Sequence, residues 1–267
     1  MWSAIGKMTG WTSEQPPFDC AWPLQDVGDL SDAHNIADRH HKQINELHND
    51  AQWSMIESYQ DPDGGDMKLF TRPQIGTYHC LKATFSLQGV KADQFINLVG
   101  SSKLEVRQKF SADCVGLKKL DEPTPVTELV HAQYWAPPPV AGRDFVFLVG
   151  RRDNGDGSSD LWGCSVASNQ CEDASGMTSV RGASLWGWKL IEAGDNLLVS
   201  YANIFDPRGW TPGFLLAWMK TTAAKEFCAI RAVLSGKEVK VEKVDLAEAG
   251  VSADDVAAEV KEHDAAK

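Results

Sequence analysis

No stretch of this 267-residue chain approaches 18 consecutive apolar residues, which excludes a membrane-spanning helix. Its first fifteen residues, MWSAIGKMTGWTSEQ, lack the apolar segment of a secretory leader, so a soluble protein of the cytoplasm is expected. Paired cysteines are missing too. Cys20, Cys80, Cys114, Cys164, Cys171 and Cys228 stand singly, without the short spacings a zinc site needs, and the reduced state is expected. Positive charge is scarce: the formal net charge is -11, which repels phosphate backbones and argues against a nucleic-acid partner. There is no nucleophile elbow, no Walker loop, no dinucleotide fingerprint and no H-E-x-x-H, so nothing compels an enzyme or a cofactor. No basic cluster or lipidation motif marks a membrane address.

What the chain does have is 43% hydrophobic residues and ten tryptophans, enough to fill a large core or line a cavity. Residues 1–30 carry Gly, Pro-Pro and Trp without periodicity and read as an arm. From Ser31, a candidate N-cap, a helix is predicted to about residue 49, with Ile36, His40, Ile44, Leu47 and Ala51 on one face. His34, His41 and His48 recur every seven residues. Two helical turns separate neighbours, too far to share one metal ion, so a solvated polar face is expected.

The pattern then turns to strands. Segments 53–59 and 67–71 flank the turn Asp61-Pro62-Asp63-Gly64-Gly65, and 78–87 continues the alternation. Two short helices are predicted at 92–99 and 103–110. Further strands follow at 115–120, 126–135, 145–151, 161–167, 178–191 and 196–205. The stretch from Asp153 to Asp160 reads as a polar hairpin turn, because Gly155 and Cys164 stand where a calcium loop needs oxygen ligands. No helices recur at βαβ intervals, so the fold class is α+β with an antiparallel sheet of about eight or nine strands.

The last strand stops at Asp206-Pro207-Arg208-Gly209-Trp210-Thr211-Pro212. Thr211 can cap, Pro212 suits a first helical position, and an apolar helix is predicted over 213–234. Leu216, Met219, Ala223, Phe227, Ile230 and Leu234 form its stripe, which must lie against a large apolar surface. Residues 235–267 are acidic on balance and read as an appendage. Within it Ser252 and Asp255 make a weak capping box, and Val239, Val241 and Val244 fit a short edge strand equally well.

Residues 31–234 resemble the StAR-related lipid-transfer (START) domain family. Arg143-Asp144-Phe145-Val146 matches its R-D-[FY]-V strand start. Val180-Arg181 with Gly187-Trp188-Lys189-Leu190 matches its V-R … G-[YW]-x-[IL] strand. Leu198-Val199-Ser200-Tyr201 followed by Asp206-Pro207-Arg208-Gly209-Trp210-Thr211-Pro212 matches its L-x-x-Y … D-P-x-G-x-[IL]-P junction. Trp53, Lys82-Ala83-Thr84 and the run Leu104-Glu105-Val106-Arg107-Gln108-Lys109-Phe110 also look similar, although Phe110-Ser111 replaces the family's W-D.

The resemblance implies a helix-grip fold, a curved sheet around the long C-terminal helix, enclosing a tunnel for one lipid. Leaving a sixteen-carbon chain in water costs roughly 13 kcal/mol at ~0.8 per methylene, so a dry tunnel lets a lipid cross an aqueous gap. It also implies transient membrane contact, a monomer, and a sterol or a phospholipid as cargo. Sterol carriers bury an acid–arginine pair. Glu128 can supply the acid, but Val149 stands opposite. Phosphatidylcholine carriers use an arginine matched by Arg107, whose usual acidic companion is missing here. Trp135, Trp186, Trp188 and Tyr201 are candidate aromatic walls; Trp210, Phe214 and Trp218 are candidate lid and entrance contacts. Two alternatives stay open: a lipid sensor or scaffold acting through a protein partner, and a helix-grip enzyme such as a cyclase.

Overall fold

A computed structural model describes residues 30–60, 66–74, 78–168, 171 and 179–266. The predicted arm, except Leu30, lies outside them, as do Cys20, the turn at 61–65 and Thr178 at the start of a predicted strand. In chain order the elements are α1 (Leu30–His48), β1 (Ser54–Gln60), β2 (Asp66–Thr71), β3 (His79–Gln88), α2 (Ala92–Val99) and α3 (Leu104–Arg107). Then come β4 (Cys114–Thr124), β5 (Thr127–Tyr134), β6 (Gly142–Asp153), β7 (Ser158–Ser165), β8 (Ser179–Arg181), β9 (Ala183–Ala193), β10 (Asn196–Asp206), α4 (Gly213–Leu234) and α5 (Ala253–Ala265). No helix of the described residues is long and apolar enough to cross a membrane.

The strands form one sheet in the order β1-β2-β3-β10-β9-β7-β6-β5-β4. All neighbours along that path are antiparallel, as predicted; the short β8 pairs parallel to β6 off the path. The predicted strand 178–191 is thus two strands, broken at Gly182. Strand alternation divides the residues between two faces. Leu185, Ala202 and Ile204 join the core on one face; Leu190, Val199 and Phe85 join the core on the other. The 153–160 stretch forms the β6–β7 hairpin turn, with Asn154 N–H donating to the Ser158 carbonyl (3.0 Å) and Gly155 and Gly157 at positive φ.

Helix α1 covers the outer, convex face. Ile36, His40, Ile44 and Leu47 are buried as predicted, whereas Ala51 lies past the helix and is exposed. The helix packs so closely that a Cβ on Gly187 of β9 would sit 2.4 Å from Ile44 Cγ1. The helix already includes Leu30, so Ser31 is inside it rather than its N-cap. The histidine stripe corrects the sequence reading: His34 is exposed, but His41 and His48 are buried. The convex face itself carries polar groups, and the histidines meet them. His41 Nε2 lies 2.8 Å from Asp160 Oδ2, and His48 Nδ1 lies 3.1 Å from Ser200 Oγ. Burial, with Lys82 and Lys189 nearby, lowers the His48 pKa to about 4.

His40 is buried at 1% exposure, and neither ring nitrogen has a hydrogen-bond partner among the described residues. Burial, then the Arg39 charge, lowers its pKa to about 3. As pH falls below about 6.5 the unfolded chain takes up the proton first, so this residue removes stability on the acid side. His40→Leu is expected to stabilise the fold by about 1–3 kcal/mol at neutral pH and by about 2 kcal/mol more at pH 5. Urea titrations at the two pH values check this; equal gains at both would contradict it.

Helix α4 lies on the concave face over the predicted 213–234. Thr211 does not cap it; its hydroxyl points back to the Arg208 carbonyl at 3.4 Å. The N-cap position is Pro212, and the cap is the Glu259 carboxylate of α5, which accepts from Gly213 N–H (2.6 Å) and Phe214 N–H (3.2 Å). Past Gly236, at φ 74°, the chain turns back along α4. Val239, Val241 and Val244 are not in a strand, and Val244 and Val251 are buried against Phe214, Leu215 and Trp218. Ser252 and Asp255 do form the capping box of α5. Short helix α3 ends at Arg107, before the predicted 110, although its last carbonyls still accept from Lys109 and Phe110.

The Arg143-Asp144 pair holds these parts together. Arg143 is buried and donates to the carbonyls of Ala141, Pro207 (2.5 Å), Arg208 (2.9 Å) and Trp210 (2.9 Å). That clamps the β10–α4 junction in a strained shape, with non-glycine Arg208 at φ 51° and Gly209 at φ 62°. Buried Asp144 accepts from His131 (2.9 Å) and Arg181 (2.9 Å); burial opposes its charge, but these donors hold its pKa below the ordinary value.

Candidate ligand cavity

Between α4 and the concave face lies a cavity of about 440 Å³. Strand periodicity supplies its aromatic wall. Phe145 and Phe147, two apart on β6, stack at 5.3 Å; Trp186 and Trp188, two apart on β9, point to the same side. Cross-strand partners Trp188 and Tyr201 sit 4.5 Å apart between ring centroids. Trp186 lies flat across β7, where a Cβ on Gly163 would come within 2.4 Å of its ring. The opposite wall is the predicted stripe of α4: Leu216, Met219, Ala223 and Phe227 line the cavity, while Ile230 is buried beyond it.

Polar side chains gather at one part of this lining. Arg107 comes from the end of α3, Asp113 from the turn before β4 and Glu226 from α4. Arg107 Nε, Asp113 Oδ1 and Thr222 Oγ1, all on cavity-lining residues, are buried without a hydrogen-bond partner among the described residues. Burial is the main cause that raises the Glu226 pKa to about 7; the Arg107 charge draws it down and Asp113 pushes it up. Burial likewise raises Asp113 to about 6, against the pull of Lys243. Tyr134 and Tyr201 are half-buried residues whose phenol pKa values desolvation raises well above the ordinary value, with Glu226 contributing to both. One wall thus offers charge and hydrogen bonds, and most of the remainder is apolar.

Of the sequence candidates, Arg107, Trp135, Trp186, Trp188, Tyr201 and Trp218 line this cavity. Glu128 does not. It pairs across strands with Val149, as anticipated, but sits 3.7 Å from Lys119 beside a separate small hollow. Trp210 and Phe214 lie on the other side of α4, where Trp210 stacks on His263 (4.6 Å) and meets Phe214 edge-on (6.0 Å). Sequence reasoning missed Asp113 and Glu226, the acidic neighbours of Arg107. The signal for Glu226 was available: it stands seven residues after Met219 and three after Ala223, on the apolar stripe itself. Asp113 lies in a turn, where no periodicity points to it.

No family model matches the chain, and no curated protein matches it by sequence. Solved structures do. Human StAR-related lipid transfer protein 5 matches with a TM-score of 0.67 at 15% identity, over 78% of this chain and 99% of that one. Human STARD10 matches with a TM-score of 0.59 at 14% identity, over 86% and 96%. A STAR-related lipid transfer protein from Xanthomonas axonopodis matches with a TM-score of 0.57 at 23% identity, over 69% and 99%. At these identities the likeness is one of architecture: the chain has the helix-grip fold of the StAR-related lipid-transfer domains.

Proposed function

We propose that the chain binds one lipid in this cavity, polar head toward Arg107, Asp113 and Glu226, and carries it between membranes as a cytoplasmic monomer without altering it. The observation that supports this best is the lining itself: an apolar and aromatic chamber with unpartnered polar atoms on one wall suits an amphiphile. The structural neighbours named for lipid transfer support the same reading. A sterol or a phospholipid fits the chemistry, and the head-group contacts decide between them.

Native mass spectrometry of the protein from a eukaryotic host, followed by extraction of its cargo, tests the reading. A single stoichiometric lipid is expected. Ala223→Trp fills the chamber from α4 without leaving a cavity, and is expected to lower loading at least tenfold with an unchanged circular dichroism spectrum. A protein that stays empty when offered sterol, phospholipid and ceramide vesicles would refute the proposal. One observation favours a second reading, an enzyme: a carboxyl with a pKa of about 7 in a cavity is poised for general acid–base work. In that case the recovered lipid would change mass during incubation with the protein.

A further inference from the structure

The segment after α4 folds back against the helix and touches it, or the turn before it, at four levels. Glu248 pairs with Lys225, the Val244 carbonyl accepts from Trp218 Nε1 (2.9 Å), Glu259 caps the first turn, and His263 stacks on Trp210. These levels include one end of the cavity. There Trp218 of α4 meets Trp135, just past β5, edge-on at 5.9 Å, and both line the cavity. Adjacent strap residues hold both rings: Lys243 Nζ lies 4.6 Å over Trp135, and Val244 holds Trp218. The segment therefore bridges the two rings of this cavity-lining pair.

Its own hold is slight. Val244 and Val251 are its only buried hydrophobics among the described residues, and α5 has no buried residue at all. Residues 236–267 carry nine acidic residues against five lysines. Few buried contacts and many exposed hydrogen bonds are the marks of a unit that opens well before the fold does.

We propose that residues 237–266 form a releasable strap over the Trp135–Trp218 closure, and that the cavity exchanges its occupant when the strap lifts. The identity of the occupant rests on the carrier reading; the gating does not.

The test uses the full chain and Nile red, an uncharged apolar dye, mixed rapidly with wild type, Val251→Asp and Glu259→Gln. The first variant puts a charge into the strap's buried contact; the second weakens the cap with little change of shape. Both are expected to take up and release the dye about tenfold faster or more. Hydrogen exchange should quicken at 213–218 and 243–266 while β3, β9 and β10 keep their protection. Equal dye kinetics in all three proteins would overturn the strap. Faster dye uptake in the variants, with neither wild type nor variants ever loading a vesicle lipid, would uphold the strap and refute the carrier.

Discussion

Replacing Arg143 with leucine is expected to cost about 3–5 kcal/mol of folding stability and to lower Tm by about 10 °C. The residue is buried, and its guanidinium serves four carbonyls that the helix-free junction cannot otherwise satisfy. Leucine would leave those acceptors without their donor and would release the left-handed pair Arg208-Gly209. The junction sets where α4 starts, so ligand loading should fall with stability. Arg143→Lys separates the effects: one ammonium can reach some of the carbonyls but cannot fork across them, so a partial rescue is expected. Calorimetry on the three proteins measures it, and a leucine variant within 1 °C of wild type would contradict the clamp.

Glu226→Gln is expected to do the reverse, and only on the alkaline side. In the folded chain the carboxyl keeps its proton up to about pH 7; unfolded, it loses it near 4.5. Between these values the folded state binds more protons, so stability falls as pH rises through the window and stays reduced above it. Integrated over the shift, this is on the order of 3 kcal/mol at pH 8. Glutamine keeps the shape and cannot ionise. The variant should match wild type near pH 4, exceed it by roughly that amount at pH 8, and show a flatter stability profile. Denaturant unfolding across pH 4–8 reads it directly. Parallel profiles would mean that the Glu226 carboxyl meets water or a counter-charge after all.

The two variants mark the limit of what the residues reveal before folding. Motifs that determine the backbone were legible: Arg143 and the run from Asp206 to Pro212 were recognisable because a buried clamp and a left-handed turn tolerate few substitutions. Helix α4 and its stripe were legible from a 3.6-residue period. So were Trp186 and Trp188 as partners on one face, although choosing the inner face required knowing that α1 covers the other. The charged part of the cavity was legible only at Arg107, because Arg107, Asp113 and Glu226 come from three separate elements that only the folded sheet brings together. His41 and His48 were misread for a related reason. Polarity on a helix predicts water only when the surface beneath it is apolar, and here that surface carries Asp160 and Ser200.

The strand order also has a consequence for how the chain is made. β1 and β4 are the two rims, while the middle of the sheet, β10 and β9, is the last to be synthesised. β3, at residues 79–88, has to wait for 196–206 before it gains its second neighbour. Until then the ribosome holds a three-stranded ribbon and a separate group of later strands, with no α4 to cover either. Such long-range pairing slows folding and leaves strand edges open. A nascent chain stalled near residue 190 should therefore depend on chaperones, and one stalled past the end of α4, with that helix clear of the exit tunnel, should not.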